Sequence, residues 1–161
     1  MDIFFRLDVN YGGSSGYGRE YIERLEKLWG IVDTDDCISA AQAISSSPGP
    51  LDKPVDPKRI CIRGRSAGGF NVFASLSYGR LRTVFVAGTS YAGLSDMKSF
   101  AEKTHKFELH YNEKLLGGIY EKVPSIYKLR SPATHAGAIG VPLLVCFFFL
   151  NIVTPNPPTK M

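Results

Sequence analysis

Apolar positions recur in short runs whose spacing changes along the chain. Ile3 to Val9 is rich in Ile, Phe and Val and reads as a buried strand. The run Gly12-Gly13-Ser14-Ser15-Gly16-Tyr17-Gly18 forces a loop, because glycine permits backbone angles that other residues avoid. From Arg19 to Trp29 a helix is predicted, with Tyr21, Leu25 and Leu28 on one face and Gly30 as its stop. Asp33-Thr34-Asp35-Asp36 supplies a capping side chain and acidic charge for a second helix. Its apolar face follows as Cys37, Ala40, Ala41 and Ile44. Pro48, Pro50, Pro54 and Pro57 make the stretch from Ser45 to Pro57 a loop.

Arg59 to Arg63 is strand-like, and Phe70, Phe73, Ala74 and Ser77 have helical spacing up to Tyr78. Thr83 to Ala87 is a further strand. Ser95 or Asp96 caps a helix with apolar positions Met97, Phe100, Ala101, Phe107 and Tyr111, which Gly117-Gly118 ends. A polar linker runs through Pro132 to Gly140, and Val141 to Leu150 is the last apolar strand. Strands alternating with helices imply an α/β fold, a mostly parallel sheet with helices on both faces. The strands at Arg59, Thr83 and Val141 are expected side by side, with the first strand loosely added, beside the one at Arg59.

Composition narrows the reading. The chain has 161 residues, 44% hydrophobic and 21% charged, which suits one compact domain over residues 1–150 and an unstructured Pro-rich tail over 151–161. A net charge of +4 is well short of the basic stripe of a nucleic-acid binder, and no binding motif accompanies Arg59, Arg63, Arg65, Arg80 and Arg82. The longest apolar stretch, Leu143 to Leu150, is too short for a membrane helix, and the start lacks the pattern of a signal peptide. Cys37, Cys61 and Cys146 are far apart, which favours a reducing compartment and a cytoplasmic location. No spacing suits a metal or a cofactor: His105 and His110 lack the H-E-x-x-H arrangement, and no phosphate loop is present.

The segment with chemistry in it is Gly64-Arg65-Ser66-Ala67-Gly68-Gly69. It matches G-x-S-x-G between a predicted strand and a predicted helix, the setting of a nucleophile elbow. A serine nucleophile must stand exposed on a sharp, strained turn at the top of a sheet. Side chains two before and two after would come too close, hence Gly64 and Gly68. The Ala67 amide then points to where an oxyanion would form, at the start of a helix whose dipole favours negative charge. The plain alternative is a glycine-rich turn with an inert serine.

The chain resembles the catalytic domain of the prolyl oligopeptidase family, near its acylaminoacyl-peptidase and dipeptidyl-peptidase branches. The resemblance is carried by Asp8-Val9-Asn10-Tyr11-Gly12-Gly13-Ser14, Gly16-Tyr17-Gly18-Arg19, Trp29-Gly30-Ile31-Val32-Asp33, Asp35-Asp36-Cys37, Asp56-Pro57-Lys58-Arg59 and the elbow. Thr104-His105-Lys106-Phe107-Glu108 and Ser131-Pro132 also fit. It implies an α/β-hydrolase fold and a serine peptidase acting on short peptides, with Ser66 as nucleophile and Ala67 as backbone oxyanion donor. The family's pocket for the residue before the cut implies Leu94, Met97 and Phe100 as substrate-binding residues. Those side chains are equally well read as the core of the helix they lie on.

The resemblance also implies partners for the serine that the sequence does not show. The family's Asp follows the strand like Val141 to Leu150 and its His comes later, yet no Asp follows Asp96 and no His follows His135. The family's earlier strands, its HGGP-like segment and its oxyanion tyrosine have no match before Ile3. Residues 141–161 carry one charge, Lys160, which predicts a foreign end after the family pattern stops. The expectation is an impaired peptidase truncated at both ends. Its alternative is a non-catalytic fragment that associates with itself or another protein through exposed sheet edges.

Overall fold

A computed structural model describes residues 5–46, 55–103, 111 and 113–147. Its helices are α1 (Arg19–Glu23), α2 (Val32–Ser45), α3 (Ala67–Ser77), α4 (Met97–Lys103) and α5 (Pro124–Arg130). Its strands are β1 (Cys61–Arg65), β2 (Ala87–Tyr91) and β3 (Leu143–Cys146). They form a parallel sheet in the order β1-β2-β3, with Cys61 opposite Ala87 and Gly88 opposite Leu143. The expected trio of adjacent parallel strands is therefore present.

The strand order decides where the helices go. Parallel neighbours need a crossover, and crossovers are right-handed. Two successive right-handed crossovers in the same direction put their helices on the same face. That face is marked by close approach to α3: a side chain at Gly64 would strike the Gly68 backbone, and one at Gly88 would strike Leu76 and Val72. The Ser90 hydroxyl, also on this face, donates to the Gly69 carbonyl at 3.1 Å. On the other face Cys61, Arg63, Arg65 and Leu144 are exposed. Among the described residues α3 packs on the Gly64 and Gly88 face of the sheet, within the expected arrangement of a mostly parallel sheet with helices.

Two apolar clusters fill the covered side. One joins Leu25, Trp29, Phe70, Ala74, Met97, Leu115, Leu116 and Tyr127, with the Trp29 and Phe70 rings 5.0 Å apart. The other joins Ile38 and Ala41 of α2 to Val72 and Leu76 of α3, with Ile60 and Phe85. Beneath Trp29 lies a polar junction. Asp33, 2% exposed, accepts from the Gly30 amide at 2.7 Å. Buried Arg130 donates to the Trp29 carbonyl at 3.3 Å, and the Tyr78 hydroxyl donates to the Arg130 carbonyl at 3.3 Å. Burial pushes the Asp33 carboxyl up to about 6, against the pull of its backbone donors and of Arg130.

Several elements differ from the sequence reading. The run Ile3 to Val9 forms no strand over its described residues: Phe5 and Leu7 are 69% and 49% exposed. An apolar run becomes a strand only where a partner takes its backbone bonds, and β1 receives none from it. The first helix stops at Glu23, and turns follow to Gly30. Lys27 sits at φ 60, and its amide bonds outward to the Lys114 carbonyl at 3.1 Å. In α2 the buried set is Asp33, Thr34, Ile38 and Ala41, rotated from the expected Cys37 and Ile44. β1 and β2 begin later than expected, after 3-10 turns at Pro57–Arg59 and Arg82–Val84. The helix α5 was not foreseen; Pro124 sits in its first turn, where a missing amide does no harm. The expected polar linker over 132–140 is largely a 3-10 segment, Pro132–Ala138. The tail over 151–161 and the strand end over 148–150 lie outside the described residues.

Candidate active site

β1 delivers Ser66 directly to the N-terminus of α3. The residue is exposed, at φ 55 and ψ −119, a backbone conformation that only glycine adopts at ease. The reversal is held from three sides. The Ser66 amide donates to the Tyr91 carbonyl of β2 at 2.9 Å. The Ser66 carbonyl accepts from Phe70 at 2.9 Å, the first turn of α3. Gly64 lets the turn close, since a Cβ there would lie 2.2 Å from the Gly68 carbonyl oxygen.

Gly68 differs from expectation. A Cβ there meets nothing within 4 Å, so the steric demand falls on Gly64 alone. The second glycine the site needs is Gly69, which faces Gly93 after β2: a Cβ on Gly69 would lie 2.7 Å from the Gly93 Cα. Sequence reasoning missed this pair and the Tyr91 carbonyl. The signal was available as the doubled glycine after the serine and the Ser90-Tyr91-Ala92-Gly93 run.

The serine occupies the helix N-cap and makes no side-chain cap bond. An ordinary N-cap serine turns its hydroxyl onto the first amides. Here the strained backbone aims it elsewhere, and the Ala67 amide belongs to the first turn, where amides lack an intrahelical partner. An exposed hydroxyl beside open amides at the positive end of a helix can attack an acyl carbon and receive the oxyanion that results.

The other expected residues lie as follows. Met97 is buried in the cluster around Trp29, and its amide donates to the Ser131 hydroxyl at 2.9 Å. Leu94 and Phe100 pack against the same cluster, with Phe100 edge-on to Trp29 at 6.3 Å. Asp96 caps α4, accepting from the Ser99 amide at 2.8 Å. His105 and His110 lie outside the described residues. His135 bonds the Leu129 carbonyl at 3.1 Å, and its ring stands 5.2 Å from that of Tyr78. Tyr78 ends α3 and Ser66 begins it. Along the helix axis those ends are about 18 Å apart. Among the described residues no cluster of His, Cys, Asp and Glu could hold a metal, and no helix is long and apolar enough to cross a membrane.

A parallel sheet whose strand runs into a strained, exposed serine at a helix N-terminus defines an α/β-hydrolase-like protein. The profile of the prolyl oligopeptidase family matches residues 4–147, and the chain belongs to that family. It is similar to the structure of a Mycobacterium tuberculosis puromycin-hydrolyzing peptidase, at 46% identity and a TM-score of 0.78, over 87% of this chain and 20% of that one. It is 28% identical over 138 residues to the uncharacterised peptidase YuxL of Bacillus subtilis (strain 168), covering 85% of this chain and 20% of that protein. The acylamino-acid-releasing enzyme of Arabidopsis thaliana is 27% identical over 157 residues, 88% of this chain and 18% of that enzyme. The chain thus spans about a fifth of the length of these relatives.

Proposed function

We propose that this chain carries the nucleophile of a serine-type peptidase acting on short peptides, with Ser66 as the attacking residue. The observation behind this reading is an N-cap serine at φ 55 that is exposed and makes no capping bond. Ser66 Oγ forms a bond to the scissile carbonyl carbon, its proton passes to a base, and the carbonyl oxygen becomes an oxyanion facing the Ala67 amide. Collapse of that intermediate breaks the peptide bond, with the proton passing to the leaving amine. Leu94 and Phe100 are the candidates for contact with the residue before the cut; buried Met97 supports them from below.

The base is the weak point. His135 is committed to Tyr78 and Leu129 at the far end of α3. Among the described residues no histidine stands beside Ser66, and slow turnover is what this reading expects of them. Removing triad members in other serine enzymes still leaves catalysis from oxyanion and binding terms. The free cysteines at 37, 61 and 146 fit a reducing, cytoplasmic setting.

A fluorophosphonate probe tests the assignment. Slow, saturable labelling of the intact chain that disappears in Ser66→Ala is the expected result. Labelling that survives Ser66→Ala, or none in a folded wild-type chain after long incubation, overturns it.

A further inference from the structure

Both backbone groups of Ser66 are held, and the holding traces to two consecutive residues of β2. The Ser66 amide donates to the Tyr91 carbonyl at 2.9 Å, and the Ser66 carbonyl accepts from the Phe70 amide at 2.9 Å. That amide shares a peptide plane with the Gly69 carbonyl, which accepts from the Ser90 hydroxyl at 3.1 Å. The path from Ser90 to Ser66 is therefore one hydroxyl and one peptide unit. Because the peptide is planar, fixing its oxygen also fixes the direction of its N–H.

The register places the hydroxyl for this. Ser90 stands opposite Gly64 on the face toward α3, and it is 0% exposed. Gly69 and Gly93 close over it: a Cβ on Gly69 would lie 2.8 Å from Ser90 Oγ, and one on Gly93 would strike the same oxygen. A hydroxyl buried in a sheet face costs stability unless it is bonded. Two other buried serines nearby bond within α3: Ser75 donates to Asn71 Oδ1 at 3.0 Å, and Ser77 donates to the Phe73 carbonyl at 2.7 Å. Ser90 instead reaches from sheet to helix. The carbonyl it meets lies in the first turn of α3 and, as a helical carbonyl, already serves the amide four residues on. The hydroxyl is a second donor, on the second lone pair.

A residue at φ 55 persists only where its surroundings over-determine it. We propose that Ser90 is a positioning residue for the nucleophile: through the Gly69–Phe70 peptide its hydroxyl fixes the first turn of α3 and keeps Ser66 in its strained, exposed pose with the Ala67 amide beside it. The proposal rests on the reading of Ser66 as the attacking residue. Buried Ser90 acts on the reaction only through that serine.

The full chain and its Ser90→Ala variant are reacted with a fluorophosphonate over a concentration series, which separates probe affinity from the maximal labelling rate. Alanine removes one atom and adds none, so it fits the site. Ser77→Ala is the control, since it deletes a buried serine bond at the other end of α3. Both variants should lower the urea midpoint by about 0.5 M. Only Ser90→Ala should slow maximal labelling, by about tenfold, with the half-saturating probe concentration unchanged. Hydrogen exchange adds a readout that needs no reactive serine. The Phe70 amide should exchange about tenfold faster in Ser90→Ala, measured against Leu76 of the same helix. Equal slowing in both variants, an unchanged labelling rate in Ser90→Ala, or an unchanged Phe70 amide overturns the proposal. Wild-type labelling that is lost in Ser66→Ala but kept in full by Ser90→Ala removes the positioning role alone. A folded wild-type chain that never labels removes the nucleophile reading, and the positioning role with it.

Discussion

The elbow and the polar junction beneath Trp29 both rest on α3, yet they are held in opposite ways. At the elbow, order comes from side chains that are missing: Gly64 against Gly68, and Gly69 against Gly93. The result is a strained serine left in the open. At the junction, order comes from polar groups that are buried: Asp33, Arg130 and Tyr78 answer the backbone of Gly30, Trp29 and Arg130 itself. The first arrangement spends stability to present a reactive group. The second ties turn, α2, α3 and α5 together and presents nothing.

The contrast can be broken first at Gly64. Gly64→Ala places a Cβ 2.2 Å from backbone, which neither a rotamer change nor a flexible tip can relieve. A loss of about 3 kcal/mol, or failure to fold, is expected in urea unfolding. A loss below about 0.5 kcal/mol would show that the elbow does not close this tightly in solution.

The junction should respond to pH. Asp33 has its carboxyl raised from 3.8 to about 6, so the folded state holds the proton more tightly than the unfolded chain does. Its contribution to stability is present below pH 4 and is lost as pH rises through about 6, a change of about 3 kcal/mol at most. Asp33→Asn keeps an acceptor for the Gly30 amide and should flatten that part of the stability profile. An unchanged slope in the variant removes Asp33 as its cause.

Ser66→Gly should relieve the backbone at φ 55, raising stability by about 1 kcal/mol while abolishing probe labelling. Stability and reactivity moving in opposite directions is the signature; a destabilised variant contradicts the strain. The smallest effect is at Gly68→Ala, where the added methyl meets nothing and a helical glycine is replaced. A gain of up to about 1 kcal/mol is expected there, against the loss at Gly64→Ala.

This contrast also explains what the sequence disclosed. The elbow was legible because its chemistry is local: strand, G-x-S-x-G and helix follow within a few residues, and α3 and β1 fell close to their predicted places. The junction was not, because Asp33 meets Arg130 only through the fold, and each residue alone reads as a solvated charge. The helix Pro124–Arg130 was hidden for the same reason. Its lone buried tyrosine, Tyr127, gives no periodicity, and its place against α4 comes from packing. The run Ile3 to Val9 erred the other way. Its composition promised a strand, but composition cannot supply the neighbouring backbone that makes one.

The Tyr91 carbonyl accepts from the Ser66 amide at 2.9 Å, and the amide of the same peptide plane, on Ala92, donates to the Cys146 carbonyl at 2.8 Å. Ala92 holds that plane at φ 47. The plane is a bracket between the outer strands, bonded to Ser66 on one side and to Cys146 on the other. The serine's backbone is thereby braced by a strand that β1 does not touch.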